Sequence, residues 1–167
     1  MEDRRAMPRA SLPLSGGCQC GGVRYAITAV PLTLYLCHCT ECQRQSSSAF
    51  GMSMSVARAA LAVDWARLGV FVRGAAARGR EVRCLFCPDC GTRLFHEPAQ
   101  ESEVLNVKPG TLDETRWLRP VGHLWTRSAQ PWVRIPPDDL AYPGEPARFD
   151  DLCRRWKTIA DEIFAEL

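Results

Sequence analysis

The sequence predicts a mainly β domain of antiparallel sheets that ends in a single α-helix. Three observations carry this. Apolar and polar residues alternate with period two through residues 23–28 and again through 50–55, the signature of half-buried strands. Eight of the nine cysteines lie between Cys18 and Cys90, in three clusters that each adjoin a strand-like segment. At the far end, Leu152, Trp156, Ile159, Ala160, Ile163, Phe164 and Leu167 recur at spacings of three and four, which is helical periodicity.

The elements follow in chain order. Residues 1–15 hold charges and prolines without a periodic apolar pattern, and read as a flexible, solvated arm. Val23, Tyr25 and Ile27 form the inward side of a first strand, closed by Pro31. Leu32, Leu34 and Leu36 suggest a returning strand, so that a hairpin would bring Cys20 at its entry and Cys37 at its exit to one end of the sheet. Residues 40–48 are polar, and Phe50, Met52 and Met54 then mark a third strand. Further strands are predicted over 70–73, 80–86, 93–96 and 104–107. Beyond Lys108 seven prolines, from Pro109 to Pro146, break any long element, which predicts irregular strands and loops. The terminal helix has Asp150 as its expected N-cap. Its mixed polar face predicts docking on the domain or a partner chain rather than on a membrane, with Cys153 as a small apolar residue on the flank of the stripe.

With 167 residues, 46% hydrophobic and 24% charged, the chain is long enough to bury roughly 70% of the surface its unfolded form exposes. It needs no disulfides in place of a core, and the odd number of cysteines argues against a disulfide framework. The first residues lack the apolar run of a secretory signal, and the longest apolar stretch is the short run 59–63. These features predict a cytoplasmic protein with reduced thiols. The formal charge of +2 falls to about −1 once cysteines hold two zinc ions as thiolates. Arginine outnumbers lysine 19 to 2, but no five basic residues run together, which argues against nucleic acid as a partner.

The cysteine spacing is the most specific signal. Cys18-Gln19-Cys20 places two thiols on one side of an extended chain. In Cys87-Pro88-Asp89-Cys90-Gly91 a tight turn aims two sulfurs at one point, and the glycine permits left-handed backbone behind the second. Together these halves would make a closed four-cysteine zinc site. Cys37-His38-Cys39-Thr40-Glu41-Cys42 offers three thiols from one strand-to-loop turn. Its fourth position is open if water fills it and closed if Cys84 does. Spacing alone does not decide which clusters pair, since Cys20 and Cys37 could also share an ion.

These motifs resemble the glutathione-dependent formaldehyde-activating enzyme family, whose domain also occurs in centromere protein V. The resemblance runs from Gly16-Gly17-Cys18-Gln19-Cys20-Gly21 and Val23-Arg24-Tyr25 through residues 37–42 and Ser48-Ala49-Phe50 to residues 86–92. Gly110-Thr111-Leu112-Asp113, Pro120, His123-Leu124-Trp125 and Trp132 fit its later part. It implies a β-tent-like zinc-binding fold over residues 16–142, followed by a linker and helix over 143–167. It also implies a structural zinc on Cys18, Cys20, Cys87 and Cys90, and a second, open zinc on Cys37, Cys39 and Cys42 that could be partly occupied. The implied activity is that of a carbon-sulfur lyase, joining a thiol such as glutathione to formaldehyde or running the reverse. Its partners would be a small thiol and an aldehyde, and a homodimer is left open.

The chain departs from the family pattern where relatives carry a basic residue and a glycine: here stand Gln43 and Ser47. That predicts a smaller or less anionic thiol than glutathione. His38 and Arg44 are candidates for supporting the open site or touching substrate, the first also for packing alone. His96 and His123 read as structural, and Trp117, Trp125 and Trp132 as core or pocket wall. A closed second site without a pocket would instead indicate a binding module, and exposed metal-free thiols an aldehyde scavenger.

Overall fold

The computed structural model describes residues 8–74, 81–98 and 102–164. Eleven strands form two sheets among them. β1 (Leu14–Gly17), β2 (Arg24–Ile27) and β5 (Leu61–Val63) make a small antiparallel sheet with β2 in the middle. The larger sheet comprises β3 (Thr33–Cys37), β4 (Gly51–Ala57), β6 (Gly69–Arg73), β7 (Val82–Phe86), β8 (Arg93–Pro98), β9 (Val104–Val107), β10 (Gly122–Leu124) and β11 (Leu140–Tyr142). Its order is β11-β10-β3-β4-β9-β8-β7-β6. Two helices complete the fold, α1 (Thr40–Ser46) and α2 (Asp150–Ile163).

The mainly β fold and terminal helix agree with the sequence pattern, with four differences beyond the added short helix α1 and strand β5. β2 and β3 do not form a hairpin, because β1 and β5 already occupy both edges of β2. The chain crosses instead at Pro31, and Leu32 N–H donates to the Ser55 carbonyl at 2.8 Å as it enters the large sheet. The large sheet is mixed: β10 runs parallel to both β3 and β11. Leu14 and Ser15, which read as part of the arm, belong to β1, and Leu14 is buried. Finally, Phe149 rather than Asp150 is the N-cap of α2. Asp150 and Asp151 fill its first turn, where carboxylates suit the helix dipole.

The apolar stripe of α2 is buried at Leu152, Trp156, Ala160 and Ile163, and the helix packs on β3. Trp156 Nε1 donates to the Pro31 carbonyl at 2.7 Å. Leu152 sits so close to Gly122 that a Cβ there would come within 2.5 Å of it. Leu167 lies outside the described residues. Among those described, no helix is long and apolar enough to cross a membrane.

Alternation decides what faces the site. Along β3, Thr33, Tyr35 and Cys37 share one face while Leu34 is buried on the other. Ser55, Ser53 and Gly51 stand opposite them on β4. The row continues through Asn106 on β9, His96 on β8 and Cys84 on β7.

Candidate metal centre

The structure brings Cys18, Cys20, Cys87 and Cys90 together, with all four sulfurs within 4.8 Å of one another. Cys18 Sγ is 3.4 Å from Cys20 Sγ, and Cys20 Sγ is 3.8 Å from Cys87 Sγ. A zinc tetrahedron with bonds near 2.3 Å spaces its sulfurs about 3.8 Å apart, so this group fits such an ion. Two tight turns create it. Gly21 N–H closes on the Cys18 carbonyl at 3.0 Å and Gly91 N–H on the Cys87 carbonyl at 2.9 Å, and both glycines adopt the positive φ that the turns require. Cys18 follows β1 and Cys87 follows β7, so the cluster joins the two sheets. Thr92 braces the join: its Oγ1 accepts from Gln19 N–H at 3.1 Å and lies 3.1 Å from Cys90 Sγ. Hydrogen bonds from Thr92 hold the Cys90 thiol down at about 6.

Cys37, Cys39 and Cys42 form a second group, again with sulfurs within 4.8 Å. Cys37 ends β3, Cys39 is the N-cap of α1, and Cys42 lies in its first turn. The Cys42 N–H donates to Cys39 Sγ at 3.4 Å, so the helix start fixes two of the thiols relative to each other. Gly51, paired with Cys37, makes room for Cys42, whose Cβ would lie 3.1 Å from an added Cβ. Cys84 is not part of the group; its Sγ faces the Val82 carbonyl at 3.7 Å.

A cavity of about 300 Å³ opens beside this second group, with Cys37 and Cys42 in its wall. The rest of the wall is the polar row across the sheet, including Tyr35, Ser53, Ser55 and Asn106. Ser55 Oγ and Tyr35 Oη donate to Asn106 Oδ1 at 2.8 and 3.2 Å. Arg73, His96 and Glu97 line it too, as does Cys153 from α2. Glu97 is buried and paired with Arg58 and Arg83. Beside Ser53 lies Lys108, almost fully buried, with Nζ 3.3 Å from Ser53 Oγ. Burial pushes its ammonium below the ordinary lysine range, against the attraction of Cys42, Cys37 and Cys84.

His38 turns to β10 rather than to the thiols. Its Nε2 is 2.9 Å from His123 Nδ1, and His123 Nε2 is 3.2 Å from Asp139 Oδ2. Because a carboxylate accepts, His123 Nε2 carries a proton; in the neutral ring its Nδ1 is then bare and accepts from His38 Nε2. Burial and the neighbouring His123 lower the pKa of His38. Gln43 is engaged in the structure: Nε2 donates to the His38 and Ser128 carbonyls at 2.6 and 2.8 Å, and Oε1 accepts from Gln130 Nε2 at 2.8 Å. Arg44 pairs with Glu41 and borders a separate shallow groove with Trp132. Trp117 is core, edge-on to Phe164, and none of Trp117, Trp125 and Trp132 lines the cavity beside the thiols.

Sequence reasoning missed the polar strand face and Lys108. A signal existed in the serines that alternate with Phe50, Met52 and Met54, and in the scarcity of lysine among so many arginines.

The sequence profile of the family described as glutathione-dependent formaldehyde-activating enzyme matches residues 13–128. No curated protein matches significantly. Among solved structures, a Rhodobacter sphaeroides protein determined as a structural genomics target is similar, with 20% identity, 61% of this chain and 90% of that chain covered, and a TM-score of 0.49. The profile match spans more than half of the sequence and takes in both thiol clusters, and the chain therefore belongs to the glutathione-dependent formaldehyde-activating enzyme family.

Proposed function

We propose that this protein is a zinc-dependent enzyme of the carbon-sulfur lyase type, which adds a small thiol to formaldehyde or a related aldehyde and catalyses the reverse. One observation carries the reading: Cys37 and Cys42 form part of the wall of a cavity, while Cys84 stays outside their cluster. A three-thiol centre beside a cavity has a position left for a ligand, whereas a four-thiol centre does not. Cys18, Cys20, Cys87 and Cys90 would accordingly hold a structural zinc, and Cys37, Cys39 and Cys42 a reactive one.

Zinc at the second group would supply Lewis acidity that favours the thiolate of an incoming thiol at neutral pH. The chain's own residues supply the rest. The cavity confines thiol and aldehyde together, which converts an encounter between two solutes into a reaction between neighbours. Tyr35, Ser53, Ser55 and Asn106 offer hydrogen bonds to the substrates' polar groups. In the reaction the thiol loses its proton, its sulfur pair forms the C–S bond, and the carbonyl π pair moves to oxygen. That oxygen takes up a proton, so the hydroxymethyl thioether contains every atom of the two reactants. The His38–His123–Asp139 chain keeps the turn between Cys37 and Cys39 in place rather than touching substrate.

A cavity of about 300 Å³ lies at the small end of ligand pockets. Gln43 is tied to backbone carbonyls and Arg44 lines another groove. Both observations support a thiol smaller or less anionic than glutathione, acting in a reducing compartment such as the cytoplasm. Product formation followed by NMR, with formaldehyde and a series of thiols, tests the function. Zinc-loaded wild type should turn over, and Cys39→Ser should fold with its four-thiol zinc but lose activity. Equal rates in a variant verified to carry one zinc would refute the proposal.

A further inference from the structure

We propose that Lys108 is the counter-cation of the three-thiol centre, its ammonium balancing the charge that Cys37, Cys39 and Cys42 acquire as thiolates and so setting how tightly that centre holds its metal. The inference rests on the metal reading above and adds a residue that lies outside the thiol motifs.

The register places Lys108 there. Val107 pairs with Met54, and Lys108 N–H donates to the Leu94 carbonyl at 2.8 Å, which continues the strand geometry of β9 for one more residue. Side chains repeat every second residue in such a segment, so Lys108 shares the face of Asn106, Ser53 and the thiols. Its Nζ meets Ser53 Oγ at 3.3 Å. Ser53 is two residues from Gly51, the partner of Cys37. Among the described residues no carboxylate pairs with this ammonium. The charges it feels are the thiols of Cys42, Cys37 and Cys84, which attract it, and Arg93, which repels it.

A surface lysine stretches its stem until the ammonium reaches water; this one does not reach it, being only 7% exposed. Three thiolates and one dication carry a net charge of about −1. All three cysteines are buried, and an isolated buried charge is costly unless it is paired. Each charge offsets part of the other's penalty. A lysine suits the task better than an arginine, since a compact ammonium fits beside sulfur without the planar fork that carboxylates match. In a chain with two lysines and nineteen arginines, one of the two occupies this place.

The test is chelator competition on the zinc-loaded full chain, with zinc counted per chain, for wild type, Lys108→Met, Lys108→Gln and Lys108→Arg. Both neutral variants should bind the second zinc about tenfold or more weakly, as loss of one nearby unit charge implies. Their four-thiol zinc should be unchanged, and Lys108→Arg should stay within a few-fold of wild type. Unchanged affinity in either folded neutral variant would overturn the proposal, as would Lys108→Arg falling as far as Lys108→Met. If both neutral variants unfold while Cys39→Ser folds, Lys108 serves the fold without the site and the proposal is wrong. If wild type itself takes up one zinc per chain, the function proposed above fails, and this inference with it.

Discussion

Replacing Gln43 with alanine tests how the second thiol group is held. The Gln43 side chain joins α1 to two segments: Nε2 donates to the carbonyls of His38 and Ser128, and Oε1 accepts from Gln130. A hydrogen bond contributes about 0.5–1.5 kcal/mol net. Three lost together would cost roughly 3 kcal/mol. The His38 carbonyl keeps one donor, Ser128 Oγ at 3.2 Å, which moderates the loss. For a domain of this size about 2–3 kcal/mol lowers the melting temperature by roughly 5–10 °C. Because α1 carries Cys42 and starts at Cys39, zinc in the second site should loosen along with the fold. Gln43→Glu should be worse than Gln43→Ala near neutral pH, since it sets a carboxylate against two carbonyl oxygens. That excess penalty should fade as the pH falls and the carboxyl takes up a proton. Thermal unfolding of both variants in parallel with zinc content measures these effects. A Gln43→Ala protein that melts with wild type, or a Gln43→Glu protein no worse than Gln43→Ala across that pH range, would show that these hydrogen bonds do not hold α1 in place.

Other perturbations have equally direct outcomes. Ser47 adopts left-handed backbone, with φ 51° and ψ 38°, so Ser47→Gly should stabilise the fold by about 1 kcal/mol, read by denaturant unfolding. Leu152→Ala removes a fully buried side chain packed against Gly122, and should cost about 2–5 kcal/mol in the same assay. Cys87→Ser should lose the four-thiol zinc and unfold or aggregate, because that cluster joins β1 to β7; wild-type melting with unchanged zinc would reject those ligands. Affinity for a small thiol should rise with pH towards that thiol's own pKa, as binding releases its proton, which calorimetry in buffers of different ionisation enthalpy detects.

Local patterns were legible in the sequence, and pairings across the chain were not. The two thiol turns announce themselves because each spans only a few residues, and Gly91 shows the left-handed backbone that its place after Cys90 suggests. The alternation at Tyr25, Ile27 and Met54 marked strands correctly. The neighbours of β2 were hidden, because β1 contains Gly16 and Gly17 and β5 is three residues long, so neither presents the β-branched run that signals a strand. α1 was equally hidden, since Cys42 is its one buried residue and supplies no apolar period. The cavity escaped for a related reason. Thr33, Ser53, Ser55 and Asn106 look like the solvent side of their strands, and only the closed arrangement around them makes that polar face the wall of a site.

In the function proposed above, two unlike thiol centres hold zinc, one closed by four sulfurs and one open beside the cavity. Zinc-edge X-ray absorption on the fully loaded protein, before and after addition of a small thiol, tests it most directly. Two zinc ions per chain are expected, with an average shell that contains a light nitrogen or oxygen neighbour, replaced by sulfur when thiol is added. An all-sulfur shell from the outset, unchanged by thiol, would contradict it.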